Sequence, residues 1–491
     1  MPSYVVKENV SLDKRWVSEI TPKAEDFSKW YLDVVRKAEL ADYGSVKGCM
    51  IIRPYGYGIW ERARDLLDRR IKDSGHENAY FPLFIPESAL KKEAEHVKGF
   101  APEVAWVTRG GNEELEEPLA IRPTSEAILC PMYAKWVRSY RDLPILINQW
   151  ANVVRWEKVT RPFLRTTEFL WQEGHTVHAT AEEAQDETLR ILEIYREFVE
   201  TELAIPVVKG LKTERERFAG ALQTYAIEAL MTDGRALQAG TSHNLGQHFA
   251  KAFDIRFEDE NQQMQYGWST SWGVSTRLVG AIIMTHGDDS GLIVPPHVAP
   301  IQVIIVPISA GNWKETVLPH ARSLLEKLRA AGIRCKLDDR DNYTPGWKFA
   351  DWEMRGVPVR CEIGPKDIEK KQVVLVRRDN REKAFVPMEG LESRLTAMLE
   401  QVQDALFRKA CEFRDKNTTN VDTFPVFEEM MESRPGFLRC FWCGSAECET
   451  AVKEKTSATI RVIPFGADEE KGTCVFCGKE AISRVLFAKA Y

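Results

Sequence analysis

Two short segments of the chain place arginine near carboxylate, hydroxyl or aromatic side chains. The first segment consists of Arg155-Trp156-Glu157, a loop, and Arg165-Thr166-Thr167-Glu168-Phe169. If Arg155 and Glu157 stand in one strand, alternation sends both side chains to the same face. A guanidinium can hold a phosphate bidentately, a carboxylate can bind Mg²⁺ or an adenine amino group, and an aromatic ring can stack on the base. An isolated Arg-x-Glu pair is more often a surface ion pair. The prediction of nucleotide binding therefore depends on the complete pattern of Arg-x-Glu, loop and Arg-x-x-x-Phe.

The second segment is Gly273-Val274-Ser275-Thr276-Arg277, followed by the apolar run Leu278 to Met284. An arginine that opens a helix, behind a glycine that permits close approach, suits a phosphate. This motif is weak by itself. With the first segment it predicts an ATP site that uses two arginines.

Cysteine is concentrated near the C-terminus, where the sequence reads Cys474-x-x-Cys477. This is half of a zinc knuckle, and the other half is either Cys440-x-x-Cys443 or Cys443-x-x-x-x-Cys448. Five cysteines therefore compete for four tetrahedral positions, and unligated buried thiols are the alternative. Four thiolates would leave no open coordination position, so such a zinc ion would be structural.

The 491 residues are too many for one hydrophobic core, and a proline-rich stretch at Pro295, Pro296 and Pro300 marks a boundary. Before it, apolar periodicity predicts helices over 59–71 and 181–203 and a strand over 79–85. After it, alternating patterns predict a small α/β domain, with strands over 303–308, 334–337 and 373–376 and a helix over 313–331. A helix over 391–414 leads into the cysteine-bearing segment.

Composition excludes several classes of protein. The 44% hydrophobic and 29% charged residues are ordinary for a folded globular chain, and the net charge of −6 argues against indiscriminate nucleic-acid binding. No apolar run is long enough to span a bilayer, and Met1 to Val10 lacks the layout of a secretory signal. We therefore expect a cytoplasmic enzyme.

Three further stretches extend the two arginine motifs: Arg122-Pro123-Thr124-Ser125-Glu126, Phe169-Leu170-Trp171-Gln172-Glu173-Gly174-His175 and Gln238-Ala239-Gly240-Thr241-Ser242-His243. With them the chain resembles class II prolyl-tRNA synthetases, of the eukaryote- or archaeal-like type. The resemblance covers nearly the whole chain in family order, and the short distance between the arginine motifs leaves no room for a large editing insertion.

The resemblance implies a multidomain α+β and α/β fold. Residues 1–294 would form the catalytic domain, with an antiparallel sheet and flanking helices. Residues 300–402 would form an α/β anticodon-binding domain, and residues 403–491 a small α+β zinc domain. The activity implied is activation of L-proline with ATP and transfer to tRNA(Pro), by a homodimer built through the region around Arg53 to Pro86.

The resemblance also implies roles for residues. Thr124 and Glu126 would receive the proline nitrogen, and Arg155 would contact both the proline carboxylate and the α-phosphate. The walls of the proline ring pocket would be Trp171, His175, Phe218 and His243. ATP and Mg²⁺ would be held by Glu157, Arg165, Thr166, Gln238, Thr241 and Arg277, with Phe169 stacked on adenine.

Outside the catalytic domain, the resemblance implies guanine-reading residues and a zinc site. The anticodon residues would be Glu353, Arg360, Lys366 and Asp367. The zinc ligands would be Cys443, Cys448, Cys474 and Cys477, with Cys440 left spare. Tyr491 would turn toward the active site, although chain ends usually fray.

Two alternatives remain on the sequence alone. One is a catalytically silent RNA-binding or regulatory paralogue, which the intact set of Thr124, Glu126, Arg155, Glu157 and Arg277 disfavours. The other is a different class II synthetase. A threonyl enzyme would require zinc ligands in the catalytic domain, and no cysteine lies among the expected pocket residues.

Overall fold

A computed structural model describes residues 19–96, 103–308, 311–466 and 470–491, so the segment Met1 to Val10 lies outside it. The strands are β1 (Ala41–Tyr43), β2 (Met50–Ile52), β3 (Glu77–Asn78), β4 (Phe84–Pro86), β5 (Trp106–Gly110), β6 (Glu113–Ile121), β7 (Ile145–Val154), β8 (Glu168–His178), β9 (Val207–Leu211), β10 (Gln223–Leu230), β11 (Ala236–Gly246), β12 (Arg256–Glu258), β13 (Met264–Tyr266), β14 (Trp268–Ser275), β15 (Val303–Pro307), β16 (Cys335–Leu337), β17 (Val359–Ile363), β18 (Gln372–Arg377), β19 (Lys383–Pro387), β20 (Thr418–Asn420), β21 (Phe437–Trp442), β22 (Ala458–Pro464) and β23 (Ser483–Lys489).

The α-helices are α1 (Phe27–Lys37), α2 (Pro54–Asp73), α3 (Glu87–His96), α4 (Glu126–Trp136), α5 (Ala181–Thr201), α6 (His248–Phe253), α7 (Arg277–His286), α8 (Trp313–Thr316), α9 (Leu318–Ala330), α10 (Pro345–Met354), α11 (Pro365–Glu369), α12 (Leu391–Lys416), α13 (Phe424–Ser433) and α14 (Ala446–Thr456). Within the described ranges, none of these helices is long and apolar enough to cross a membrane.

The described chain divides into two compact units. One contains the residues up to Leu40, Arg53–Gly58 and His286–Leu406. The other contains Ala41–Ile52, Ile59–Thr285 and Phe407–Tyr491. The three-domain boundaries expected from the sequence remain a prediction.

The larger unit is built on an eleven-stranded sheet in the order β20-β21-β23-β22-β9-β10-β11-β14-β8-β7-β3. Its central strands pair antiparallel, with β7 and β8 in register from Ile145 opposite Val177 to Val154 opposite Glu168. Helix α5 packs on β11 and β14 through the apolar stripe that the sequence predicts. It begins at a capping box formed by Thr180 and Glu183, which satisfies its first backbone donors.

The two helix predictions for this unit are confirmed: α2 covers 59–71, and α5 covers 181–203 except for the last two residues. The strand prediction over 79–85 is wrong for most of its length, because only its last two residues lie in β4. Pro82 has no backbone donor, and the Phe81 N–H donates to the side-chain oxygen of Gln149 rather than to a strand. This segment instead runs beside the sheet as a connection.

The C-terminal part of the chain continues the same sheet. Strand β22 pairs antiparallel with β9, with Ile463 opposite Leu211 and Pro464 opposite Gly210. A Cβ at Gly210 would lie 2.2 Å from the Ile463 carbonyl oxygen, so this close approach requires glycine. The cysteine-bearing segment and the central strands therefore share one hydrogen-bonded sheet.

The smaller unit contains a five-stranded sheet in the order β16-β15-β17-β18-β19. β15 is parallel to both neighbours, and β17, β18 and β19 pair antiparallel. The predicted strands and the helix over 391–414 are confirmed here. The predicted helix over 313–331 is two helices, because Pro319 occupies the first turn of α9, where its missing donor costs nothing.

Candidate functional site

A cavity of about 280 Å³ opens on one face of the large sheet. The side chains that the sequence places in the site and that line this cavity are Thr124, Glu126, Arg155, Phe169, Trp171, His175, Phe218, Gln238, Thr241, His243 and Arg277. They come from β8, β11, the start of α4, the start of α7 and the connections between strands. The fold therefore brings eleven separated residues into one space.

Alternation along β8 sends every second residue into the cavity. Phe169, Trp171, Glu173 and His175 all line it. The Phe169 and Trp171 rings meet edge to face with 6.0 Å between centroids. The guanidinium of Arg155 lies 5.7 Å from the Phe169 centroid and 5.3 Å from that of Trp171, within range of a cation–π interaction.

A carboxylate network forms one end of the cavity. The Thr124 hydroxyl donates to Glu126, which is buried at the first turn of α4. Glu173 accepts hydrogen bonds from the Ser125 hydroxyl and, at 2.7 Å, from Gln149 Nε2. Burial alone would raise the pKa of Glu173, but bonds from His175, Ser125 and Gln149 outweigh it and hold the pKa below its ordinary value. The site thus keeps buried negative charge.

The two histidines have opposite electrostatic environments. His175 Nε2 lies 3.0 Å from Glu173 Oε2. Desolvation alone would lower the pKa of His175, but this contact and the negative charge of Glu126 together outweigh it and raise the pKa. Its other ring nitrogen is buried without a hydrogen-bond partner among the residues described. Desolvation, with the nearby charge of His175, lowers the pKa of His243 to about 3, so that ring is neutral at physiological pH. The Phe218 and His243 ring centroids are 4.6 Å apart.

The guanidinium groups of the two arginines are held by hydrogen bonds to backbone carbonyl oxygens, which carry no net charge. Arg155 Nε donates to Pro123 O at 3.1 Å, and Arg277 Nε donates to Leu164 O at 3.2 Å. Arg155 is exposed to the open cavity that it lines. The surrounding protein nevertheless removes enough water to lower the pKa of Arg155, although the negative charges of Glu126, Glu173 and Glu157 would raise it. Both arginines retain donors for an anion.

The predicted strand placement of Arg155 and Glu157 is wrong. Strand β7 ends at Val154, so both residues lie in the connection to β8, and Arg165 also precedes β8. The connection folds back on itself, with backbone bonds between Arg161 and Arg165. The Arg155 N–H still donates to Thr167 O, but the Trp156 N–H donates to Glu103 O, outside the β7–β8 pair. The regular ladder therefore does not continue to Glu157, and strand alternation does not apply there. Phe169 does lie in β8.

Glu157 and Arg165 line a neighbouring cavity of about 400 Å³ that also includes Arg155. Arg165 Nε lies 2.9 Å from Glu157 Oε2. Thr166 lines neither cavity: it is buried, and its hydroxyl donates to Glu168 O at 2.8 Å. Arg155 therefore stands where the two cavities adjoin.

Sequence reasoning missed several polar residues of the site. Glu173 lies between Trp171 and His175 in a quoted motif, and period-2 alternation would have placed it on their face. Thr224 also lines the cavity, and its hydroxyl lies 3.0 Å from His243 Nδ1. It could not be found from local sequence, because it reaches His243 through the pairing of β10 with β11.

In the smaller unit, Glu353 and Arg360 line a cavity of about 240 Å³ together with Arg378, Arg381 and Lys383. The Arg360 guanidinium lies 4.1 Å from the centroid of the Phe349 ring. Lys366 and Asp367 lie on α11 and do not line this cavity. Asp367 Oδ2 accepts from the Gly364 N–H at 2.9 Å and so caps that helix.

Four cysteines of the C-terminal segment converge. One sulfur atom from each of Cys443, Cys448, Cys474 and Cys477 lies within 4.8 Å of the others. The Sγ atom of Cys443 is 3.7 Å from those of Cys448 and Cys477. A tetrahedral zinc ion with Zn–S bonds of about 2.3 Å separates its sulfurs by about 3.8 Å, so the geometry fits this metal. Cys440 is buried in β21, opposite Val485, and lies outside the group.

Tyr491, the last residue of the sequence, is held by several contacts. Its hydroxyl donates to Asp233 Oδ2 at 2.6 Å, and its backbone N–H donates to Ala236 O. The guanidinium groups of Arg161 and Arg235 lie 5.7 and 5.6 Å from its ring centroid. Arg161 belongs to the connection between β7 and β8, so this tyrosine packs against the same connection that carries Arg155 and Glu157.

Three family models match successive parts of the chain. The "tRNA synthetase class II core domain (G, H, P, S and T)" matches residues 106–286, the "Anticodon binding domain" matches 302–398, and "Prolyl-tRNA synthetase, C-terminal" matches 425–491.

Curated relatives match almost end to end. A "Proline--tRNA ligase" of Natranaerobius thermophilus is 58% identical over 98% of this chain and 99% of its own length. Those of Alkaliphilus oremlandii and a Roseiflexus species are 59% and 60% identical, over 98% and 96% of this chain and 99% of their own lengths. The chain belongs to the proline--tRNA ligase family.

Proposed function

We propose that this chain activates L-proline with ATP, forming prolyl-adenylate and pyrophosphate, and transfers proline to the 3′ end of tRNA(Pro). One observation carries the proposal: a single cavity joins a buried carboxylate, an apolar ring pocket and two arginines with free donors. A zwitterionic cyclic amino acid needs the first two, and a phosphate needs the third.

The proline end of the cavity is assigned to Glu126 and the aromatic residues. The secondary ammonium of proline loses water when it enters a closed pocket, and the buried carboxylate of Glu126 offsets that cost. The hydroxyl of Thr124 already orients this carboxylate. The ring of proline then contacts Trp171, His175, Phe218 and His243, whose rings limit the size of the side chain that fits.

The ATP end is assigned to Arg155, Arg277, Gln238, Thr241 and Phe169. The Arg155 guanidinium lies near both Phe169, assigned to ATP, and Trp171, assigned to proline, so it can hold the proline carboxylate beside the α-phosphate for an in-line displacement of pyrophosphate. The attacking carboxylate is already ionised, and no general base is required. The positive charge of the two arginines stabilises charge that develops on the phosphate.

The remaining ATP contacts are assigned to the connection between β7 and β8. Glu157 is the carboxylate that would approach Mg²⁺ or the adenine amino group, and Arg165 already pairs with it. The Thr166 hydroxyl is committed to Glu168, so any contribution of Thr166 to ATP binding comes through its backbone.

The anticodon and metal sites complete the proposal. Glu353 and Arg360 share a charged cavity in which a carboxylate and a guanidinium can read guanine, and Lys366 and Asp367 are assigned to neighbouring bases. The four clustered cysteines would hold a structural Zn²⁺. We further propose a homodimer through the region around Arg53 to Pro86, where Tyr80 and Phe84 are exposed, and activity in the cytoplasm.

Amino-acid-dependent exchange between ATP and pyrophosphate tests the proposal directly. We expect exchange with proline far above that with threonine or serine, and weak exchange with alanine and cysteine, which fit the pocket sterically. Charging of tRNA(Pro) tests the second step. Exchange that is no faster with proline than with the other amino acids would refute the assignment.

A further inference from the structure

A buried cluster of three charged residues joins the C-terminal segment to the central strands. Lys212 Nζ lies 3.0 Å from Glu228 Oε1, and Arg461 donates to the same carboxylate through Nη2 at 3.0 Å and Nε at 3.2 Å. Lys212 also donates to the Arg461 carbonyl at 2.8 Å. All three residues are buried. Two cations therefore share one carboxylate, and one of those cations comes from β22.

Glu228 lies on the face of the sheet that lines the substrate cavity. Thr224 precedes it by four residues in β10 and lines the cavity, so alternation places both side chains on one face. The cross-strand partner of Glu228 is Gln238, which also lines the cavity. The carbonyl of Gln238 is 3.5 Å from Arg277 Nη1. The charged cluster is thus one strand away from the arginine assigned to ATP.

Arg277 makes no ion pair within the described part of the chain; the acceptors of its guanidinium there are the carbonyls of Leu164 and Gln238. Burial and the charge of Arg155 lower the pKa of Arg277, and the negative charge of Glu228 opposes them. Glu228 lies opposite Gln238, whose carbonyl oxygen is an acceptor of Arg277, and the two oxygens of Glu228 are occupied by Lys212 and Arg461.

We propose that Arg461 and Lys212 hold the Glu228 carboxylate so that it cannot pair with Arg277, which leaves the Arg277 guanidinium available for a phosphate of ATP. Arg461 is then a positioning residue that the C-terminal segment supplies to the ATP site. When Arg461 is absent, Glu228 Oε2 loses its hydrogen bond, and Arg277, which makes no ion pair within the described residues, is the partner that we expect this buried carboxylate to take. The inference rests on the proposed role of Arg277.

The test compares full-length Arg461→Met with the double variant Arg461→Met/Glu228→Gln in proline-dependent pyrophosphate exchange. We expect Arg461→Met to raise the KM for ATP by roughly ten- to a hundredfold, the effect of committing a charged donor elsewhere. The KM for proline should change less than about twofold. Neutralising residue 228 in the double variant should return the KM for ATP to within about threefold of the parent chain.

Several outcomes overturn the inference. An unchanged KM for ATP in Arg461→Met would do so, as would an increase that Glu228→Gln does not reverse, since that pattern indicates lost packing alone. If Arg461→Met fails to fold, Lys212→Met takes its place, with the same expected increase and the same rescue. The variant Arg277→Ala distinguishes this inference from the proposed role of Arg277 in ATP binding. A KM for ATP in Arg277→Ala equal to that of the parent chain would refute the proposed role of Arg277 itself.

Discussion

Replacing Glu126 with glutamine is the sharpest test of the proline pocket. Glutamine keeps the shape of the side chain and an oxygen that can accept from the Thr124 hydroxyl, but it removes the negative charge. In the structure Glu126 is buried, so solvent cannot substitute for that charge. The variant therefore isolates the interaction with the ammonium group of proline.

The expected magnitude follows from the burial. A hydrogen bond between charged groups contributes about 1.5–3 kcal/mol, and each 1.4 kcal/mol is a factor of ten in affinity. We therefore expect the KM for proline to rise by a factor of between roughly ten and somewhat more than a hundred. The KM for ATP should stay within about twofold, because Glu126 is assigned to the other end of the cavity.

The assay is pyrophosphate exchange at varied proline and saturating ATP, then at varied ATP and saturating proline. Glu214→Gln is the matched control, since Glu214 is an exposed carboxylate in the same unit. A KM for proline within twofold of the parent value in Glu126→Gln would refute the ion-pair reasoning. Equal increases in both KM values would indicate a distorted cavity instead.

Three further predictions concern the phosphate, the metal and the buried ion pair. Arg277→Ala should lower exchange by at least about a hundredfold while zinc content, measured by atomic emission, stays unchanged; loss of both would indicate misfolding. Cys448→Ser should lose bound zinc and Cys440→Ser should keep it, and the reverse result would return Cys440 to the metal site. Glu173→Gln should lower the thermal midpoint most near pH 5.5 and less at pH 9. Because the pKa of His175 is raised in the folded chain, its contribution to stability is complete below the ordinary histidine pKa of about 6.5 and is lost as the pH rises through the raised pKa. Because the pKa of Glu173 is lowered, its contribution to stability is lost only in acid. A difference in midpoint that grows toward pH 9 would contradict this pairing.

Local sequence was sufficient where one short segment carries the whole signal. The apolar stripe of α5 has helical periodicity, and β15 is a continuous β-branched run whose residues are all buried, so the local pattern alone predicted both elements. The motif from Phe169 to His175 is similar, because one strand directs its alternate residues into the cavity. The sequence also indicated that Arg277 opens a helix, as α7 shows.

Local sequence was insufficient where backbone bonds or side-chain networks depend on distant segments. Arg155 and Glu157 read as a strand, but β7 ends one residue earlier. Strand boundaries depend on where a partner strand stops, and that partner is not adjacent in the chain. The choice between Cys440 and Cys448 was open for the same reason, since spacing permits both and only the direction of β21 buries Cys440 away from the other sulfurs.

The sequence by itself predicted which chemistry to look for. It indicated two arginines for a phosphate and thiolates for a metal, and its resemblance to a family implied a carboxylate for an ammonium group and rings for a cyclic side chain. Tertiary structure decided which of these groups share a space and what else holds them. Arg461 lies far along the chain from Arg277, and no motif connects them. The pairings of β22 with β9 and of β9 with β10 bring its charge to the Glu228 carboxylate, and the pairing of β10 with β11 places that carboxylate beside the proposed ATP site. Electrostatic interactions depend on distance in space, and sequence separation carries no information about that distance.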